Sequence, residues 1–224
     1  SVVSSSEKMM NTDTLTSTAM IHTQSRLLRR NTAIDFSERT DIMDKNIDLI
    51  EKTLESQTIY EGPIFTITHD TVQLGDGSSS IRDVLLHHGG VCVIPITDNN
   101  EIFMVRQFRY PFRTVTMEVP AGKLEAGEDH SVCGRRELLE ETGCVCSEFI
   151  YLGEMYPTPA YNSEITHMYL ARGLEYQKQC LDEGEFLEVV KMPLSEAVEM
   201  VMKGEIKDGK TQLVILKAAR ILGI

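Results

Sequence analysis

The sequence contains no tryptophan, no apolar stretch near membrane-spanning length, and no pair of cysteines in the C-x-x-C spacing. A membrane helix needs roughly 20 consecutive apolar residues, so no such helix is predicted. The five cysteines are odd in number and follow no apolar secretory segment, which favours a soluble protein of the reducing cytoplasm. Cys144 and Cys146 have no partner Cys or His at zinc spacing, so we interpret them as packing residues.

Basic residues are also in deficit. The 224 residues include 22 Lys and Arg against 34 Asp and Glu, which gives a net charge of −12 at pH 7. Affinity for nucleic acid backbones comes mainly from Lys and Arg, so a generic nucleic-acid binder is excluded. A phosphate-bearing ligand would need a metal ion or a local basic cluster to overcome this charge.

Residues 1–42 lack both Gly and Pro and show no sustained apolar period. Such a segment buries too little apolar surface to offset its ordering entropy, so we expect a disordered or weakly docked tail. It is either a natural tail or an extraneous extension, because Met43 opens a coherent pattern. Residues 43–224 have a comfortable size for one domain.

The patterns in this domain predict strands, one helix, further strands and two closing helices. Predicted strands cover 64–74, 79–87, 91–97, 101–108, 114–119, 149–155, 164–171 and 185–191. Predicted helices cover 129–142, 195–203 and 209–222, and Gly143 takes the position after the first helix that glycine favours. This order predicts the α/β class, with a mixed sheet sandwiched between helices.

Three carboxylates share one face of the first predicted helix. Glu137, Glu140 and Glu141 lie at positions i, i+3 and i+4, where like charges oppose helix formation. Converging carboxylates are typical ligands of Mg²⁺ or Mn²⁺. Two glycines in the loop 122–128 allow a close backbone approach, so the carbonyl of Ala121 is a further candidate ligand.

The same segment resembles the Nudix box, G-x5-E-x7-R-E-U-x-E-E-x-G-U, where U is a bulky aliphatic residue. The final aliphatic position, held here by Cys144, is the one mild departure. The matching positions are Gly122, Glu128, Arg136, Glu137, Leu138, Glu140, Glu141 and Gly143.

The resemblance implies metal-dependent hydrolysis of a nucleoside diphosphate linked to another group. It implies that Glu137 and Glu141 are the main metal carboxylates and that Ala121 contributes its carbonyl. Glu140 would be a further ligand or a supporting group. Arg136 would hold the glutamates in register.

Three segments outside the box resemble the ADP-ribose pyrophosphatase branch of that family. Pro159 follows the box at the branch spacing, although Ala160 replaces the usual glycine. The Gln-Phe-Arg segment ending at Arg109 implies a phosphate-binding arginine. The acidic run 182–189 implies a metal ligand or general base, with Glu185 first and Glu183 as the alternative.

Further substrate contacts are predicted at Lys123, Thr158 and Arg82. In related enzymes the N-terminal strands, here about 56–88, exchange across a homodimer and cover the adenine. With no tryptophan in the chain, either Phe65 or Tyr60 would have to stack on that base or the pocket is less selective.

One motif is discarded. Residues 204–211 satisfy the pattern G-x-x-x-x-G-K-[ST] of a phosphate-binding loop. They follow a predicted helix where that motif requires a strand. We therefore predict a connection between helices with Asp208 as the N-cap.

The leading hypothesis is a Mg²⁺-dependent ADP-ribose pyrophosphatase, with Mn²⁺ as an alternative ion, that releases AMP and ribose 5-phosphate. The first alternative is a broader nucleoside-diphosphate-sugar pyrophosphatase. A non-catalytic ADP-ribose sensor is the alternative of a different class, and the complete carboxylate set argues against it.

Overall fold

A four-stranded mixed sheet lies at the centre of the computed structural model, which describes residues 48–181 and 184–224. The strands, in chain order, are β1 (Lys52–Glu61), β2 (Phe65–Gln73), β3 (Ser79–His87), β4 (Gly90–Pro95), β5 (Glu101–Arg109), β6 (Thr114–Glu118), β7 (Ala121–Lys123), β8 (Cys144–Met155), β9 (Thr166–Tyr176) and β10 (Leu187–Pro193). The helices are α1 (His130–Thr142), α2 (Leu194–Met202) and α3 (Gly209–Leu222).

The central sheet has the order β7-β4-β9-β8, and its β4 and β9 strands run parallel. Side chains of β4 alternate between two cores. Val91 and Val93 pack in the cluster that contains Leu138 of α1. Cys92 and Ile94 pack in the cluster that contains Ile215 of α3. Helices therefore cover both faces, and the predicted α/β class with a mixed sheet between helices is confirmed.

Two further antiparallel sheets complete the fold, with orders β10-β5-β6 and β1-β2-β3. The prediction of one sheet was therefore too simple. Strand β1 was not predicted, because all ten of its residues are exposed and no buried face marks it in the sequence. Strand β7 has three residues, fewer than a periodic pattern needs to be visible.

The first helix begins and ends as predicted. The Asp129 side chain accepts hydrogen bonds from the amides of Ser131 and Val132, at 2.8 and 3.3 Å, and so caps the N-terminus. Gly143 closes the helix with a φ of 70°, in the left-handed region. A β-carbon at Gly134 would lie 2.9 Å from the ring of Phe149, so close helix-to-sheet packing explains this mid-helix glycine.

The N-terminal tail predicted for residues 1–42 lies outside the described residues. Residues 50–224 form one compact unit. No helix among the described residues is long and apolar enough to cross a membrane.

Candidate active site

A cavity of about 380 Å³ lies where β4 and β9 of the central sheet begin and where β5 of the β10-β5-β6 sheet ends. Its polar side chains come from β5, β7, β9, α1 and α3, and from the segments before β9 and β10. These side chains are Gln107, Arg109, Lys123, Glu137, Glu164, Thr166, Glu185 and Lys210. The cavity therefore brings carboxylates and cations from distant parts of the sequence together.

Glu137 of α1 lines the cavity, whereas Glu141 of the same helix is buried and outside the lining. The carboxylate of Glu137 lies against Gly122, where an added β-carbon would come within 1.9 Å of its Cδ and Oε1. Glycine is therefore required there to leave space for the side chain. Glu141 is 3% exposed, and its Oε2 accepts a hydrogen bond of 3.0 Å from the amide of Ala121.

These carboxylates are held in an unfavourable electrostatic setting. Burial raises the pKa of Glu141 to about 8, and the charges of Glu137 and Glu185 contribute to this rise. Burial also raises the pKa of Glu137, although Arg136 opposes the change. A cation placed among these groups would favour their charged forms and so lower both pKa values.

Arg136 ties the α1 carboxylates to the loop before the helix. Its Nη1 donates to Glu137 at 2.8 Å and to Glu140 at 2.9 Å. Its Nε and Nη2 donate to the two oxygens of Glu128, both at 3.2 Å. Glu128 also accepts a hydrogen bond of 3.0 Å from the amide of Glu125, so it orients both the arginine and the loop. The Glu140 carboxylate faces Arg136 and is not among the groups that line the cavity.

Arg109 and Lys210 line the same cavity as Glu137 and share the buried carboxylate of Glu118. Arg109 donates from Nε and Nη2 to the two oxygens of Glu118, both at 2.7 Å. Lys210 donates to Glu118 at 2.6 Å and to Asp208 at 2.9 Å. Burial alone would raise the pKa of Glu118, but these partners outweigh it and lower the pKa to about 2.

Glu118 and Lys210 were missed as site residues. Lys210 belongs to the discarded G-x-x-x-x-G-K-[ST] segment. Asp208 caps α3 as predicted, by accepting from the amide of Thr211 at 2.9 Å, yet the lysine side chain reaches the cavity. The signal for Glu118 is a single carboxylate at the end of an otherwise uncharged strand, next to the buried Val119. Sequence spacing alone does not distinguish a buried carboxylate at this position from an ordinary one on the surface.

The remaining predicted residues fall in different places. Glu185 lines the cavity, and its Oε1 accepts a hydrogen bond of 3.2 Å from Gln107. Lys123 lines this cavity and an adjacent one of about 400 Å³. Thr158 is outside both linings, and its carbonyl accepts from the amide of Asn162 at 3.0 Å. Arg82 also lies outside both and pairs with Glu51 at 2.5 Å. Glu183 lies outside the described residues.

The donor set fits a hard divalent cation, because it consists of carboxylates and the carbonyl of Ala121. Among residues 48–181 and 184–224, however, there is no group of three or more His, Cys, Asp or Glu side chains arranged to hold a metal ion. Glu137 is hydrogen-bonded to Arg136, and Glu185 to Gln107. Binding a cation through Glu137 therefore means replacing its hydrogen bond to Arg136 with the ion.

Comparison with known families agrees with this geometry. A family model described as the NUDIX domain matches residues 86–213. A second model, described as the nucleoside diphosphate sugar hydrolase N-terminal domain, matches residues 51–85. The resemblance inferred from the box is thus confirmed, and the second match covers β1, β2 and most of β3.

Individual proteins extend the comparison. The chain is 39% identical over 167 residues to a methanol dehydrogenase activator of Bacillus methanolicus, covering 74% of this chain and 90% of the relative. It is 38% identical over 169 residues to an ADP-ribose pyrophosphatase of Bacillus subtilis, covering 75% of this chain and 91% of the relative. The crystal structure of an ADP compounds hydrolase superposes with a TM-score of 0.68 at 19% identity, covering 79% of this chain and 98% of that one. The last likeness concerns the fold.

Proposed function

This chain belongs to the Nudix family, and on that basis we propose that it hydrolyses the diphosphate of ADP-ribose to AMP and ribose 5-phosphate. The reaction adds one water molecule across the P–O–P linkage, so each product leaves with a phosphate. The substrate assignment rests on the relative named ADP-ribose pyrophosphatase and on the branch features at Arg109 and Glu185.

The proposal rests on one observation: the cavity is lined by both carboxylates and cationic side chains. Glu137 and Glu185 line it together with Arg109 and Lys210. A diphosphate bound through a divalent cation presents both a positive ion and negative oxygens. The carboxylates suit the ion, and the guanidinium and ammonium groups suit the oxygens.

Each residue then has a defined task. Glu137, Glu141 and the carbonyl of Ala121 would hold the ion, and Arg136 keeps the helix carboxylates in register. Arg109 binds phosphate oxygens through donors that Glu118 leaves available. Glu185 accepts the proton of the attacking water, and Gln107 orients its carboxylate.

Members of the family generally depend on a divalent metal. The oxygen-only donor set supports Mg²⁺, with Mn²⁺ as a substitute. When bound, such an ion neutralises the diphosphate and lowers the pKa of a water molecule. The protein's own contribution is to hold the side chains and the carbonyl that would bind the ion in fixed positions.

A substrate panel tests the proposal. Purified protein with Mg²⁺ is incubated with ADP-ribose and with GDP-sugars and UDP-sugars, and the products are separated by chromatography. We expect AMP and ribose 5-phosphate from ADP-ribose with the highest kcat/KM. Turnover of other nucleotide sugars without AMP release from ADP-ribose would support the broader pyrophosphatase. Tight ADP-ribose binding without any turnover would support the non-catalytic sensor.

We further propose that the protein forms a homodimer and that it resides in the reducing cytoplasm. The sheet of β1, β2 and β3 exposes Leu54, Ile59, Tyr60 and Ile81, each at 47% or more, which supports a further partner surface. The five cysteines are free thiols, which supports the compartment. Light scattering after size exclusion measures the mass directly, and a mass of one chain at micromolar concentration would contradict the dimer.

A further inference from the structure

The carboxylate of Glu118 has more partners than any simple surface ion pair. It is 2% exposed, and its two oxygens accept hydrogen bonds from Arg109, Lys210 and Thr116. The bond from Thr116 measures 2.7 Å. These partners come from three elements, because Arg109 ends β5, Thr116 lies on β6 and Lys210 lies in the first turn of α3.

The two cations of this cluster both line the cavity, whereas Glu118 itself does not. Arg109 uses Nε and Nη2 to bind Glu118. Its Nη1 has no hydrogen-bond partner in the part of the chain that the structure describes. Glu118 therefore occupies one side of the guanidinium and leaves donors on the other for a ligand.

Long cationic side chains lose considerable rotamer freedom when they are fixed. A binding site that orders them before the ligand arrives lowers the entropy cost of binding. Glu118 fixes both side chains at once, and it is too buried to touch the substrate. Its effect on the reaction must therefore pass through Arg109 and Lys210.

We propose that Glu118 is a positioning residue that holds Arg109 and Lys210 together as one receptor for the substrate diphosphate. The inference rests on the proposed function, since it assumes a diphosphate in this cavity. It assigns to the buried end of β6 a role in substrate affinity and leaves the carboxylates of α1 responsible for the metal.

The Glu118→Gln variant tests this assignment. Glutamine keeps the size of the side chain but lacks the charge and one acceptor oxygen, so neither cation stays fixed. We expect KM for ADP-ribose to rise by about 10-fold to 100-fold, the range for losing charged hydrogen bonds. We expect kcat to fall by less than about fivefold and the direct affinity for Mn²⁺ to stay within about twofold. All assays are run where thermal melts show both proteins fully folded.

Glu101→Gln provides the matched control. Glu101 pairs with Lys191 at 2.5 Å, at the other end of β5 and outside the cavity lining. The same chemical change there should leave KM and kcat within about twofold. A selective rise in KM at position 118 supports the inference. Unchanged KM in Glu118→Gln, or an equal loss of Mn²⁺ affinity and kcat, overturns it.

A second variant covers the case in which Glu118→Gln does not fold because Lys210 is left buried without its partner. Glu118→Gln/Lys210→Met removes both charges, and Arg109 still lacks its clamp, so KM should remain at least about 10-fold above the wild-type value. Return of KM to the wild-type value would show that Glu118 only neutralises Lys210, and would overturn the inference. Wild-type protein that does not cleave ADP-ribose would instead refute the proposed function.

Discussion

A single methyl group at Gly122 should disable the site while leaving the fold intact. In Gly122→Ala the new β-carbon would lie 1.9 Å from the Cδ and Oε1 of Glu137. Ordinary van der Waals contact begins at 3.4 Å, so the carboxylate must retreat by 3.4 − 1.9 = 1.5 Å. Metal–ligand distances tolerate deviations of only about 0.2 Å, so this shift would take Glu137 out of reach of a bound ion.

The expected loss of activity is large. Misplacement of a reacting group by about 1 Å can cost 10²-fold, and we expect kcat of Gly122→Ala with Mg²⁺ to fall by about that factor or more. The clash involves the far end of a flexible side chain, so the metal-free protein should stay folded. Direct Mn²⁺ binding by titration calorimetry should weaken in parallel, and the melting temperature measured in chelator should change by less than about 3 °C.

Gly209→Ala makes the same chemical change where no atom lies within 4 Å of the added β-carbon. Its activity and metal affinity should match those of the wild type. If Gly122→Ala also retained wild-type kcat and Mn²⁺ affinity, the position of Glu137 against Gly122 would be irrelevant to metal binding. The assignment of Glu137 as a ligand would then be wrong.

Three further changes probe other parts of the structure. Glu141→Gln should lower kcat by more than about 100-fold, yet the metal-free variant should be at least as stable as wild type at pH 7, because burial raises the pKa of this carboxyl to about 8. Retained turnover would contradict its metal role. Glu118 has a folded pKa of about 2 against an ordinary 4.5, so it stabilises the fold above pH 4.5 by up to about 3 kcal/mol, and this contribution disappears as pH falls from 4.5 towards 2. Urea unfolding of wild type and Glu118→Gln should show that gap closing with acid, and a constant gap would disprove the linkage. Gly134→Ala should destabilise the protein by about 1 kcal/mol or more, because overpacking against Phe149 outweighs the helix propensity gained. A higher midpoint in urea would refute this.

The box was predictable because its signal is local. Arg136 and the helix carboxylates lie within two turns of one helix, and Gly122 with Glu128 lies just before it. The N-cap at Asp208 was predictable for the same reason, since a cap depends on the next three residues. Such features need no knowledge of which strands become neighbours.

The second half of the site depends on tertiary pairing. Glu118 meets Arg109 across the β5–β6 pair, where Glu118 stands opposite Val105 and Arg109 opposite Thr114, so the long arginine side chain spans the offset. It meets Lys210 because α3 returns to the same end of the sheet. Lys210 is 92 residues from Glu118 in sequence. No periodicity links positions so far apart, so the sequence predicted the arginine from its motif and missed the carboxylate that orients it.

Arg136 forms ion pairs with three glutamates, and these pairs affect how the protein tolerates changes in the supply of divalent ions. In small zinc domains the metal is part of the folding free energy, and chelators unfold them. Here a built-in guanidinium already serves as counter-ion to Glu128, Glu137 and Glu140. We therefore expect the fold not to depend on ion occupancy, and we expect a chelator to switch the protein off reversibly. Turnover would follow the free concentration of the divalent ion, and the chain would not be lost to unfolding or proteolysis when that concentration falls.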